Sequence, residues 1–138
     1  MLALVFETSF GYRVMGLLHI LTAVAAFGPT FLYPTLRKAG QISTIASLHI
    51  KLVLPSLVLL WVLGMGLAGI AELSMSEFWL AASLVVWAAL VCVSWFMIRP
   101  ALTDASDAAT AKLMAGTGIT HLGLAIGLVL MIWKPGLG

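Results

Sequence analysis

Four apolar runs, each about as long as a bilayer is thick, leave this chain few ways to fold. A helix needs about 20 apolar residues to cross the hydrocarbon core, and residues 11–33, 49–71, 78–98 and 113–133 supply such runs. Transmembrane β-strands would be half as long and would alternate in polarity; these runs do neither. Charged residues make up only 9% of the 138, and apolar residues 62%, whereas soluble domains carry roughly one-quarter charged residues. A mean hydropathy of +1.15 excludes intrinsic disorder and leaves no separate water-soluble domain. The expectation is an all-α membrane protein, one domain of four transmembrane helices in an up-down-up-down bundle.

Turn chemistry brackets the runs. Pro34, Arg37, Lys38 and Gly40 close the first, Arg99 and Pro100 the third, and Lys134, Pro135 and Gly136 the fourth, because proline cannot continue a helix. Ser43 is a candidate cap for an earlier start to the second helix. Pro55 lies inside that helix and is expected to distort it, freeing a carbonyl one turn earlier. Trp79 and Trp133 sit at helix ends, where amphipathic rings form the interfacial belt.

Lys and Arg near the helix ends predict orientation. Arg37, Lys38, Lys51, Arg99 and Lys112 fall on one side, against Arg13 and Lys134 on the other. This places both termini outside the cytoplasm of a bacterial inner membrane. The first residues lack the basic region and small-residue cleavage site of a signal peptide. A net charge of +2, dispersed along the chain, excludes nucleic acid as a partner; the lipid bilayer is the expected one. Gly123 and Gly127 form a GxxxG pattern that packs either within the bundle or against a second chain. The single cysteine, Cys92, reads as a small buried hydrophobe.

Ionisable side chains inside a membrane are costly and face the protein interior or a cavity. His19 in the first helix and His121 in the fourth lie well inside their spans. His49 and Lys51 sit at the start of the second, where snorkelling to the headgroups accounts for them. Gly16, His19 and Ala23 repeat as Gly118, His121 and Ala125, with the small residues on the histidine's own face. A planar ligand held by an imidazole needs such small neighbours. By helical rise, His19 and His121 lie roughly 12 and 18 Å from the same membrane face. A b-type haem ligated by His19 and His121, with Gly16 and Gly118 beside it and His49 in reserve, is therefore one reading. The other is that the histidines are polar glue, bonded to Thr22, Thr117, Thr120 or a carbonyl. No CxxCH motif is present, so a haem would be non-covalent. No nucleophile–base pair, phosphate loop or paired intramembrane carboxylates stand out, and Asp104 and Asp107 read as helix-capping residues.

Leu18-His19-Ile20, Phe27-Gly28, the string from Phe31 to Arg37, Pro55, Gly64-Met65-Gly66-Leu67 and the closing Met131 to Gly136 together resemble an uncharacterised bacterial family of integral membrane proteins, domain of unknown function 2269. The first two helices also resemble the wider group of HemJ-type protoporphyrinogen oxidases and CopD-type copper-resistance membrane domains. In the HemJ type a helix-one histidine is associated with b-type haem, and His19 matches it. The lysine that this type needs at the start of helix three has no counterpart, because residues 78–98 carry no charge. The similar Leu48-His49-Ile50-Lys51-Leu52 precedes helix two instead. The resemblance therefore implies haem binding without the oxidase activity.

Three functions follow as expectations. The first is a haem-binding protein for electron transfer or haem handling, beside a larger membrane complex. The second is a cofactor-free structural or assembly subunit docking through its glycines, and the third a copper-handling protein. The seven methionines form no MxxM cluster, which sets the third below the others.

Overall fold

The computed structural model describes residues 9–136. Four helices, α1 (Phe10–Lys38), α2 (Ile42–Ile70), α3 (Phe78–Ala101) and α4 (Asp107–Trp133), are long and apolar enough to cross a membrane, and no strand occurs among the described residues. Their outer faces expose large apolar side chains, including Phe10, Val85, Phe96 and Ile132, a surface that only lipid solvates well. The chain is an all-α, four-helix, multi-pass membrane protein. The N-terminal stretch examined for signal-peptide features lies outside the described residues.

α1 packs along α2 and α3 along α4, giving two antiparallel hairpins. They close on each other at the end that carries Arg37, Lys38, Arg99 and Lys112. There Tyr33, Ile45, Val53, Leu57, Ile98 and Leu113 are almost fully buried. A smaller cluster of Ala68, Trp79 and Leu80, with Leu73 against it, closes the opposite end.

The helices are longer than the apolar runs. α1 passes through Pro34 to Lys38, because a tight 3-10 turn over Gly28–Leu32 absorbs Pro29, and Pro34 sits in the first turn of the segment that follows, where no N–H is needed. α2 begins at Ile42; Gln41 occupies the cap position without a side-chain bond, and Ser43 lies inside the helix. α4 begins at Asp107 with Ser106 as the cap, its hydroxyl accepting from the Ala109 N–H at 3.1 Å. Asp104 serves this cap indirectly by accepting from the Ser106 backbone and hydroxyl at 2.8 and 2.6 Å.

The irregularity expected at Pro55 takes the form of a π-helical turn over His49–Val53, and a second π turn spans Val93–Ile98 just before Pro100. Both have one cause: a proline cannot donate to the carbonyl four residues back, and its ring crowds that carbonyl. Widening the preceding turn relieves the crowding, so that the Leu54 N–H bonds His49 O and the Arg99 N–H bonds Ser94 O.

Three expectations are corrected here. Trp79 is buried, at 4% exposure, whereas Trp133 is exposed as a belt residue should be. Cys92 lies on the exposed side of α3, among residues facing lipid. Gly123 packs inside the bundle, since a Cβ there would lie 2.5 Å from Leu90 Cδ2, and Gly127 lines an internal cavity. The pair therefore forms no common outer face for a second copy.

Candidate functional site

Between the closed end and the Trp79 cluster the two hairpins stand apart, leaving a cavity of about 650 Å³ that all four helices line. Ligand sites for small molecules span roughly this size and are mostly apolar with a few placed polar groups. The walls are apolar, with Phe27 and Phe31 at the inner end and Tyr12, Trp79 and Lys134 at the other. Trp61 and Trp87 stack at 5.7 Å along one side. Trp87 is fixed by donating from Nε1 to Leu57 O at 2.8 Å, so this wall is rigid.

His19 is the one histidine among the cavity-lining residues. Its ring seats on Gly64 of α2: a Cβ at that position would lie 3.1 Å from Cε1 and 3.6 Å from Nδ1, with Nε2 beyond 4 Å. Nδ1 is buried and finds no hydrogen-bond partner among the described residues. The Leu60 carbonyl, one turn before Gly64, faces the ring without closing a bond of good geometry. The neighbouring glycine does the same for Met15, whose sulfur would lie 2.6 Å from a Cβ on Gly66. Gly16 and Gly118, expected to flank the imidazoles, have nothing within 4 Å of an added Cβ. The small residues that matter to His19 lie across the interface, not on its own helix.

His121 is placed elsewhere. Its Nε2 lies 3.0 Å from Thr30 Oγ1, and its ring stacks on Phe31 with centroids 3.9 Å apart. Thr30 donates its only hydroxyl proton to Phe27 O at 2.6 Å, so it accepts from His121, whose Nε2 carries a proton in this arrangement. About 16 Å of helix axis separates His19 from Thr30 at 1.5 Å per residue. One iron cannot sit between two imidazoles placed so far apart. His121 is held behind Phe31, outside the cavity, in the role of polar glue, and its partner is Thr30 rather than Thr22, Thr117 or Thr120.

His49, expected at the membrane edge, is fully buried about two turns inside α2. Tyr33 Oη lies 3.0 Å from its Nδ1, and Ser94 O and Oγ lie 3.1 and 2.9 Å from its Nε2. A carbonyl only accepts, so Nε2 donates to Ser94 and Nδ1 accepts from Tyr33. His49 and Ser94 each open a π turn, and those widened turns bring the two together. Both ring nitrogens are committed, so His49 has no free donor atom for a metal.

A second orphaned group lines the cavity. Trp79 Nε1 is buried with no partner among the described residues, and leaving such a donor unsatisfied costs about 1–3 kcal/mol. Among the described residues no three His, Cys, Asp or Glu side chains converge as a metal cluster, so His19 stands as a single candidate donor. Comparison with known proteins yields no match: no family model, no curated protein and no solved structure is similar to the chain.

Proposed function

We propose that this protein binds a b-type haem in the cavity, with His19 as an iron ligand, and serves electron transfer or haem handling in the bacterial cytoplasmic membrane. The observation that carries the reading is the seating of His19 on Gly64. It turns the Cε1–Nδ1 edge toward α2, where the Leu60 carbonyl can accept from Nδ1–H, and leaves Nε2 as the metal-binding nitrogen. A backbone acceptor on one ring nitrogen and a metal on the other is the usual division of roles in a ligating histidine. The cavity volume and its apolar, aromatic walls suit a flat macrocycle. Bound haem would supply one-electron exchange; the chain's own residues fix the imidazole, enclose the ring edges and exclude water, which tunes the potential.

The excess of Lys and Arg at the closed end supports an orientation with that end in the cytoplasm and both termini outside. The Tyr12–Lys134 end of the cavity then faces away from the cytoplasm. So little of the chain reaches water that an electron partner would dock from a larger membrane complex. Purification in detergent followed by a reduced-minus-oxidised spectrum, with His19→Ala as the comparison, tests the haem assignment. An identical haem spectrum in the variant rejects it.

A further inference from the structure

We propose that the outer end of the cavity is a carboxylate subsite, in which the Trp79 indole N–H and the Lys134 ammonium receive the carboxylates of the bound ligand. This rests on the haem reading, and the carboxylates in question are the two haem propionates.

Trp79 is almost completely buried, yet its N–H has no acceptor among the described residues, and the ring lines the cavity. An indole N–H only donates, so the partner it lacks is an acceptor, supplied from within the cavity. Lys134 gives that acceptor a sign. Its Nζ lies 5.3 Å from the Trp79 ring centroid, and the residue lines the same cavity.

The backbone at Lys134 strengthens the case. It caps α4 in the left-handed conformation, with φ of 44°, and its N–H bonds Leu130 O at 3.0 Å. Glycine is the default residue at such a cap, and a lysine there is conformationally unfavourable. The chain nevertheless places a cation at this point, and the cap directs it back over Trp79. The first turn of α3 adds to the field: Glu77 caps it without a side-chain bond, so the helix presents unpaired N–H groups and its positive dipole end. Glu72 and Glu77, the acidic residues of the adjoining loop, are absent from the cavity lining.

The division of polarity along the cavity follows. His19 lies between an apolar inner end at Phe27 and Phe31 and an outer end where a cation and an unpaired donor meet. A macrocycle ligated at His19 would be held in one sense, with propionates toward Lys134 and the apolar edge inward.

The test titrates the detergent-purified protein with haem and with haem dimethyl ester, following the Soret band and tryptophan quenching. A hydrogen bond to a charged group corresponds to roughly tenfold in affinity. The wild type should therefore bind haem at least about tenfold more tightly than the ester. Lys134→Gln and Trp79→Phe should each weaken haem binding by a similar factor, leave ester binding unchanged and keep the iron's absorption bands in place. Lys134→Arg should restore the preference. Equal affinity of the wild type for haem and ester overturns the subsite while leaving the haem reading intact, and so does a variant that weakens both ligands alike. Failure of the folded wild type to bind either ligand overturns the haem reading, and the subsite with it. Should Trp79→Phe not fold, Lys134→Gln decides alone.

Discussion

The Tyr33 hydroxyl donates to Nδ1 of a fully buried His49 across 3.0 Å, joining α1 to α2 at the closed end of the bundle. His49 passes the connection to Ser94 on α3, and three residues before Tyr33 the Thr30 hydroxyl receives His121 from α4. A polar layer thus ties all four helices where their apolar packing is also tightest. This layer explains two of the three histidines as structure and leaves His19 as the one that lines the cavity.

Disrupting the layer should cost stability without touching the cavity. Tyr33→Phe removes one interhelical bond, worth about 0.6–1.7 kcal/mol in membrane proteins. His49→Ala also opens a void and orphans its neighbours, for a loss of about 2–4 kcal/mol. Thermal unfolding in detergent should show both decreases, the second larger. Equal stability of wild type and His49→Ala would contradict the assignment.

His121→Ala should be milder. Thr30 keeps its bond to Phe27, so the loss is one hydrogen bond and one ring contact, about 1 kcal/mol. Haem content should stay at the wild-type level. Loss of the haem bands in folded His121→Ala protein would return this residue to the iron.

The glycines separate two accounts of the site. Gly64→Ala introduces a Cβ 3.1 Å from His19 Cε1 and must displace the imidazole, shifting the haem bands or emptying the site. Gly16→Ala and Gly118→Ala meet nothing and should leave the spectrum unchanged. Spectral changes in the second pair and none in the first would reverse the reading.

Arg37 stitches two ends of the chain together. It donates to Thr110 Oγ1 at 2.7 and 3.0 Å and to Asp104 O at 3.1 Å, a forked arrangement that lysine cannot reproduce. Arg37→Lys should raise hydrogen exchange or protease cleavage at residues 102–110. In the same loop, hydrogen bonds from the Ser106 hydroxyl and backbone hold the Asp104 carboxyl below its ordinary value of 3.8, with the Arg37 charge adding to the effect. A depressed carboxyl stabilises the fold above its unfolded value, and that contribution is lost only as pH falls through the lower folded value. The turn should stay intact at pH 4; an NMR titration midpoint at or above 3.8 would contradict the hydrogen bonds.

The architecture was legible because its signal is compositional. Four apolar runs between turn residues need no long-range information, and Pro55 marked its own distortion. The histidines were harder. Ile42–Leu48 reads I-S-T-I-A-S-L, too polar to count as membrane span, so α2 seemed to start at His49 and that residue looked superficial. Since α2 in fact starts two turns earlier, His49 lies in the core.

Pairing across helices was hidden for a related reason. Gly64 showed as a small residue, but no local window reveals that it faces His19. The repeated Gly-His-Ala pattern was real in sequence and misleading in space: Gly16 and Gly118 look into open space. Nothing in the sequence marked the Trp79 N–H as unpaired, since its position at a helix end suited a belt residue equally well.

The central claim is that His19 holds a haem. Its most direct test is the reduced-minus-oxidised visible spectrum of detergent-purified wild type and His19→Ala, with haem-to-protein ratios and a folding control. Sharp bands at near-stoichiometric haem in the wild type, absent from His19→Ala, are the predicted result. A flat spectrum from folded wild-type protein expressed with haem available, or the same bands in both proteins, would contradict it.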